Sequence, residues 1–299
     1  MNNFTKGSLA LIVSRITAGL NANCTKFLLP LWIAPMSFVT LRLLFGTAFF
    51  WLLAIFEKPD TSTARDKMKL LLLGATAVFG YMSLYAVGMS YTTPVNFAIF
   101  NATQPIWVFL FSVFVRNEKV TAGKVCGIVL GFAGVVAASL ASSVPHLASN
   151  RFLGNTIALV SSVFYSIYLI NSSALLRRVS NLVMLRYTFT GATISALVFT
   201  LFTDFSAPMF STHSNHAAIL VFIFVLIFPT AISYLLVPIG IKYLKTTLVA
   251  IYGYVTLIVA TIVSLLLGQD RFDAMLLVAM LLICAGIYLV NVAERRTTI

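Results

Sequence analysis

The segment 91–118, YTTPVNFAIFNATQPIWVFLFSVFVRNE, is an apolar run with Asn101, Gln104 and Pro105 near its middle and a charged end. The same pattern returns 152 residues later, without a gap over roughly fifty residues. The corresponding positions are Gly88 with Gly240, Tyr91 with Tyr243, Ala98 with Ala250, Phe100 with Tyr252, Glu118 with Asp270, and Ala133-Gly134 with Ala285-Gly286. Because a long internal repeat determines the architecture of a chain, we expect two copies of a unit about half the chain long.

The composition predicts a polytopic membrane protein. Of the 299 residues, 60% are hydrophobic and 9% are charged, and the mean hydropathy is +0.99. Soluble domains carry about 25% charged residues, so this chain has too little polar surface to cover a globule in water. The net charge of +12 does not indicate nucleic-acid binding, because the basic residues are scattered between apolar runs and form no cluster on one face.

The cysteines give no sign of a metal site or a disulfide framework. Cys24, Cys126 and Cys284 all lie within apolar segments, and the sequence contains no CxxC pair. We therefore expect no metal ion and no cofactor.

Hydropathy divides the chain into membrane-spanning segments. A spanning helix needs about twenty mostly apolar residues, and ten segments meet this requirement: 8–29, 35–56, 68–88, 93–115, 121–141, 153–175, 182–203, 217–240, 246–267 and 273–293. The connections between them are short, which leaves no room for a separate soluble domain. The predicted fold class is therefore all-α, with ten transmembrane helices.

The basic residues predict the orientation of these helices. One set of alternate connections, together with both termini, holds Lys6, Lys58, Arg65, Lys67, Lys69, Arg116, Lys119, Lys124, Arg177, Arg178, Lys242, Lys245, Arg295 and Arg296. The opposite set holds only Arg151 and Arg271. Because cytoplasmic loops carry the excess of Lys and Arg, we expect both termini to face the cytoplasm of a bacterial-type inner membrane.

The repeat extends to the first halves of both units, with slightly different offsets. Ser14 corresponds to Ser162, Asn23 to Asn171 and, within FVTLRLLF and LVMLRYTF, Arg42 to Arg186. The predicted domains are 1–145 and 146–299, each with five spans. Because five is odd, the second unit must lie inverted relative to the first, and inverted repeats with a site at their interface are a transporter architecture.

These motifs resemble the drug/metabolite transporter superfamily, and specifically its EamA-like ten-helix family. The resemblance rests on Gln104-Pro105 followed by Glu118, on GIVLGFAGVV from Gly127, on Gly19, Asn21 and Lys26 in the first span, and on Arg42 in the second. Ala18 stands where the family usually has tryptophan, and Leu257 and Asp270 replace the proline and glutamate in the second unit. The resemblance implies transport, and the family's solutes range from amino acids to nucleosides, drugs and sugar nucleotides.

Charged residues inside the spans are expected to be functional or to fix the fold. The acidic residues all lie at span ends or in connections, at Glu57, Asp60, Asp66, Glu118, Asp204, Asp270, Asp273 and Glu294, and the histidines lie in connections at His146, His213 and His216. This distribution argues against a carboxylate or histidine proton relay in the core and against an intramembrane enzyme. The embedded charges are basic: Arg15, Lys26, Arg42 and Arg186. Lys26 is expected to snorkel as an anchor, while the arginines either bind backbone carbonyls or line a path for an anionic solute.

Helical spacing groups the remaining polar and aromatic residues into stripes, such as Phe97, Asn101 and Gln104 on the fourth span. They line a central solute cavity or, alternatively, pack between helices, with the amides bonding a neighbouring helix. The predicted cavity residues are Arg15, Asn23, Arg42, Tyr81, Tyr85, Phe97, Asn101, Gln104, Tyr165, Tyr168, Arg186, Tyr252 and Thr256.

The sequence thus favours a secondary transporter of small organic metabolites, such as amino acids or other carboxylate-bearing solutes, that works by alternating access. The expected partners are a small-molecule solute and the lipid bilayer, with no nucleic acid. Gly127 and Gly131 form a GxxxG strip that packs within a monomer or forms the seam of a homodimer. The alternative function is a membrane scaffold or assembly subunit without transport activity, which would have a dry, apolar interface in place of the polar stripes.

Overall fold

The computed structural model describes residues 3–29, 31–57, 60, 62–116, 121–140, 148–211, 215–244, 249 and 252–297. In the first repeat the helices are α1 (Asn3–Leu28), α2 (Pro35–Ala54), α3 (Ala64–Tyr91), α4 in two pieces (Pro94–Asn101 and Gln104–Arg116) and α5 (Ala122–Leu140). In the second they are α6 (Arg151–Leu175), α7 (Asn181–Thr200), α8 (His216–Tyr243), α9 (Gly253–Leu266) and α10 (Ala274–Thr297).

Each predicted span overlaps one of these helices, and most ends differ by a few residues. The first part of the ninth span, predicted from residue 246, falls largely outside the described residues, and α9 begins at Gly253. By length and composition, α2, α3, α6, α7 and α8 are long and apolar enough to cross a membrane. The positions that lie outside the described residues include Lys58, Glu118, Lys119, His146, His213, Lys245, Ala250 and the predicted boundary between residues 145 and 146.

The second helices of the two repeats run antiparallel to each other. Hydrogen bonds between side chains join Thr40 to Thr200 at 2.9 Å, Thr47 to Thr193 at 2.7 Å, and Trp51 to Thr190 at 2.9 Å. Residue numbers rise along α2 as they fall along α7, so two helices at equivalent places in the repeats point in opposite directions.

The fifth helices of the two repeats also pack antiparallel, through small residues. Along this seam Gly123 faces Ala293, Gly131 faces Gly286, and Gly134 faces Ala279 and Ile283. Absent side chains let the two backbones approach closely. The GxxxG strip of α5 therefore packs within the chain, and the predicted fold of two inverted five-helix repeats is confirmed.

The main contacts of the first and second helices correspond between the two repeats. Helix α1 packs on α8 and α9, and its counterpart α6 packs on α3 and α4. Helix α2 contacts the middle of α8, and its counterpart α7 contacts the middle of α3. Helices α1 and α6 therefore lie at the centre of the bundle, together with the middles of α3, α4, α8 and α9.

Candidate functional site

A polar cavity lies at the centre of the bundle, in two adjoining chambers that share Arg15, Ala18, Asn21, Tyr81 and Tyr85. The first chamber lies between α1, α3, α4 and α9, and the second between α1, α2, α3, α6 and α8. Each encloses about 50 Å³. That space holds a few water molecules and no organic metabolite, so a solute can enter only if the helices move apart.

The first chamber is built on the interruption of α4. Pro105 has no backbone N–H to donate to residue 101, and it disfavours helical geometry in the residue before it. The helix breaks at Ala102 and Thr103, and across the break Gln104 Nε2 donates to Asn101 Oδ1 at 2.8 Å. The two amides thus bond each other across the break, and both line the chamber.

The second chamber is built on a proline in α8. Pro229 lies in a π-helical turn, Leu226–Ile232, which begins 152 residues after the π turn Gly74–Val78 of α3. Thr230 Oγ1 donates to the Val225 carbonyl at 2.8 Å, and it accepts a hydrogen bond of 3.0 Å from Arg42 Nε. The proline thus creates the local geometry that positions the Arg42 guanidinium at the chamber wall.

Arg15 is a buried arginine that lines both chambers. It is 6% exposed, its Nη2 lies 3.4 Å from the Val249 carbonyl, and its guanidinium stands 5.7 Å from the centre of the Tyr165 ring. Its Nε is buried without a hydrogen-bond partner among the described residues. A buried unpaired donor is costly, and because Arg15 lines both chambers, its guanidinium lies where an acceptor that enters the cavity could bind.

Tyrosines form the aromatic wall around the arginines. The Tyr81 ring lies 4.7 Å from that of Tyr165 and 6.0 Å from that of Tyr85, centre to centre. Asn21 Nδ2 donates to the Tyr85 hydroxyl at 3.1 Å, and Tyr234 completes the wall from α8. Hydroxyl groups and ring faces therefore alternate around the second chamber.

Several predicted cavity residues line the chambers: Arg15, Arg42, Tyr81, Tyr85, Phe97, Asn101, Gln104, Tyr165 and Thr256. Three others lie elsewhere in the bundle. Asn23 joins α1 to α9 by donating to the Gly19 and Ala260 carbonyls, Tyr168 is 2% exposed in the core behind Tyr165, and Tyr252 packs against that core.

Arg186 lies away from both chambers and anchors a loop. Its Nη2 lies 2.7 Å from Asp60 Oδ2, and its guanidinium stands 5.1 Å from the centre of the Trp51 ring. Lys67 contacts the same carboxylate at 3.0 Å. The two repeat-related arginines have therefore diverged, since Arg42 lines the cavity and Arg186 holds the connection between α2 and α3.

Four polar lining residues were absent from the predicted set: Ser14, Asn21, Ser233 and Tyr234. Ser14 and Ser233 share a hydrogen bond of 2.7 Å that joins α1 to α8. Asn21 could have been found from its place in the first-span motif. Tyr234 is related by the repeat to Met82, so the repeat does not indicate a polar residue there. The sequence feature that could have indicated it is the polar pair Ser233-Tyr234, which follows Pro229 within an apolar span.

Polar contacts fix the turn between α3 and α4 to neighbouring helices. Lys26 is 8% exposed and does not snorkel, because its Nζ donates to the Met89 and Thr92 carbonyls at 3.0 and 2.8 Å. These carbonyls end a helix and lack intrahelical donors. Thr92 Oγ1 donates to Asn155 Oδ1 of α6 at 2.8 Å. The turn is thereby fixed to α1 and α6 at once.

Asp270, in the connection between α9 and α10, lies against the same turn. It is 5% exposed and lies beside the Thr93 side chain and the Val95 backbone N–H at the start of α4, with Lys26 and Arg151 in electrostatic range. Burial raises the pKa of the Asp270 carboxyl above its usual 3.8. The folded protein therefore binds this proton more tightly than the unfolded chain does, and the ionised form lowers stability at neutral pH.

We expect Asp270→Asn to raise the midpoint of thermal unfolding in detergent at pH 7.5. The difference from the wild type should shrink as the pH falls through the raised pKa, because the wild-type carboxyl then takes up its proton. The exposed Asp204→Asn, in the connection between α7 and α8, is the control. A constant difference between variant and wild type over the whole pH range would contradict this assignment.

The chain matches the model of the EamA-like transporter family twice, over residues 5–140 and 152–292. It is 26% identical over 298 residues to the uncharacterized transporter YvbV of Bacillus subtilis, covering 97% of this chain and 93% of that protein. It is 24% identical to the aromatic amino acid exporter YddG of Ancylobacter novellus, covering 79% of this chain and 80% of that exporter. A crystal structure at 20% identity shares the fold, with a TM-score of 0.66 over 98% of this chain and 99% of the other.

Proposed function

The chain belongs to the EamA-like transporter family, and from this premise we propose that it is a secondary transporter of small organic solutes that carry a carboxylate, amino acids among them. It is a multi-pass membrane protein and not an enzyme. The observation that carries the proposal is the Arg15 guanidinium, which lines both chambers between the inverted repeats and whose buried Nε has no hydrogen-bond partner among the described residues. A carboxylate is the acceptor that best suits a guanidinium fork.

Alternating access supplies the mechanism. The units 1–145 and 146–299 would rock about the central cavity, which opens to one side of the membrane and then to the other. The contacts at Lys26, Thr92 and Asp270 would close one end of the path, and that end would face away from the cytoplasm if both termini are cytoplasmic.

The aromatic walls support a solute with a ring. Tyr81, Tyr85, Tyr165 and Phe97 present ring faces and edges to the chambers, and the Ancylobacter relative is named for the export of aromatic amino acids. A scaffold without transport activity would need a dry, apolar junction between the repeats. The junction holds two arginines, three amides and several hydroxyls, which favours transport.

Counterflow into proteoliposomes tests the proposal, with amino acids, phosphorylated metabolites and lipophilic cations tried in parallel. Carboxylate-bearing solutes should exchange, and Arg15→Ala should reduce their exchange about tenfold to a hundredfold, the value of a hydrogen bond to a charged group. Arg65→Ala, exposed at the start of α3, is the matched control. A preference for lipophilic cations, or unchanged exchange by a folded Arg15→Ala protein, would refute it.

A further inference from the structure

We infer that the cavity selects solutes with a net negative charge, organic acids without an ammonium group, over zwitterionic amino acids. This inference rests on the proposed transport function and narrows its substrate class. It is carried by the charges of the cavity, which come from two guanidinium groups and no carboxylate among the described lining residues.

The two arginines lie on the same chamber and lack acidic partners. Arg15 and Arg42 are 6% and 5% exposed, and the described ion pairs involve neither of them. The Asp60 carboxylate is already paired with Arg186 and Lys67, and Asp270 lies against the turn between α3 and α4. Within the described chain, the chamber therefore carries two positive charges that its own walls do not balance.

Buried charge without a counter-ion is costly in a membrane protein. A carboxylate that enters the chamber removes part of this cost, since it accepts hydrogen bonds from guanidinium donors. An α-ammonium on the same solute adds a third positive charge within a few ångströms and finds no carboxylate on the described walls. The anion thus gains attraction from both arginines, while a zwitterion gains little net attraction.

Amide oxygens and ring faces could also accept an ammonium, the faces through cation–π contact. Among the amides, Asn101 Oδ1 already accepts from Gln104 Nε2, while Asn21 Oδ1 has no partner among the described residues. The best placed face is already in use, because Arg15 stands over the Tyr165 ring. Tyr81 lies in electrostatic range of both arginines, and Tyr85 and Tyr234 in range of Arg42. The hydroxyl groups of these tyrosines can donate to a carboxylate, which adds donors to those of the two arginines.

The test compares L-phenylalanine with L-3-phenyllactate, which has a hydroxyl group in place of the ammonium and is otherwise the same size. Dissociation constants on the purified protein and counterflow in proteoliposomes should both favour phenyllactate, by about tenfold or more. Arg42→Gln should reduce the ratio of the two affinities, because it should weaken the binding of phenyllactate more than the binding of phenylalanine. Lys242→Gln, exposed at the end of α8, should leave the ratio unchanged.

The outcomes separate this inference from the function on which it rests. Equal or stronger binding of phenylalanine would overturn the selectivity for anions and leave carboxylate transport standing. If the protein binds and exchanges neither compound, nor any other carboxylate-bearing solute, the proposed function itself fails. If Arg42→Gln does not fold, the ratio measured on the wild-type protein still decides between anion and zwitterion.

Discussion

Gly191→Ala is expected to destabilise the protein strongly, although the substitution adds a single methyl group. A Cβ at this position of α7 would overlap the carbonyl oxygen of Leu71 on α3. Gly74 of α3 faces α7 in the same way, since its Cβ would overlap the Thr188 carbonyl. Backbone atoms cannot rotate aside as a side chain can, so the helices must separate and loosen the core between them. Overpacking of this kind costs about 1–3 kcal/mol, and more where the contact is rigid.

The same substitution at Gly253 provides the matched control, because a Cβ there meets nothing within 4 Å. Within a helix, alanine is more favourable than glycine by about 1 kcal/mol, so Gly253→Ala should be neutral or stabilising. The thermal midpoint and the monodisperse fraction in detergent should fall for Gly191→Ala and Gly74→Ala, and not for the control. Equal midpoints for all three variants would contradict the close approach of α3 and α7.

The fold could be predicted from sequence because it depends on features that each segment carries by itself. The apolar spans are visible in hydropathy, and the repeat is visible as a constant offset from Gly88 to Gly240. An odd number of spans per unit then requires inversion. The antiparallel bonds from Thr40 to Thr200 and from Trp51 to Thr190 follow from that inversion, although the individual partners could not be named in advance.

The cavity was less predictable because its members depend on partners that are distant in the chain. Arg42 and Arg186 occupy equivalent sequence positions but have different partners. Arg42 donates to Thr230 on α8, and Arg186 pairs with Asp60 in a loop. A stripe on a single helix, such as Asn101 with Gln104, can be read from spacing alone. The counterpart of Tyr234 in the first repeat is Met82, an apolar residue, so a comparison of the repeats could not indicate Tyr234 as a polar lining residue.

The direction in which Lys26 points also depends on a distant part of the chain. A lysine near the end of a span usually reaches the interface, and nothing near it in sequence indicates otherwise. The structure turns it inward because the α3 helix ends beside it and presents two carbonyls. One lysine thereby joins α1 to the turn that we propose closes one end of the path.

Lys26→Met is accordingly expected to open this end of the path. The variant keeps the length and apolar stem of the side chain and loses both charge-assisted bonds, to the Met89 and Thr92 carbonyls. Each such bond is worth about 1.5–3 kcal/mol, and a change of about 1.4 kcal/mol shifts an equilibrium tenfold. The open population at this end should therefore rise by at least about tenfold, and exchange of solute should slow because closure becomes rate-limiting.

Thiol labelling measures this opening directly. In a variant with Cys24, Cys126 and Cys284 replaced by serine, a cysteine introduced by Ala22→Cys lies on the wall of the first chamber. A membrane-impermeant maleimide is then added to one side of sealed vesicles or to the other. Lys26→Met should increase the labelling rate of this cysteine from one side and leave the rate from the other side unchanged. Lys69→Met, exposed on α3, should leave the rate unchanged. Equal labelling rates with and without Lys26→Met, in protein that folds normally, would mean that this lysine holds α1 to α3 without controlling access. Closure of the path would then be assigned to other contacts, such as the packing of the Phe97 ring against the Tyr85 ring at 4.8 Å.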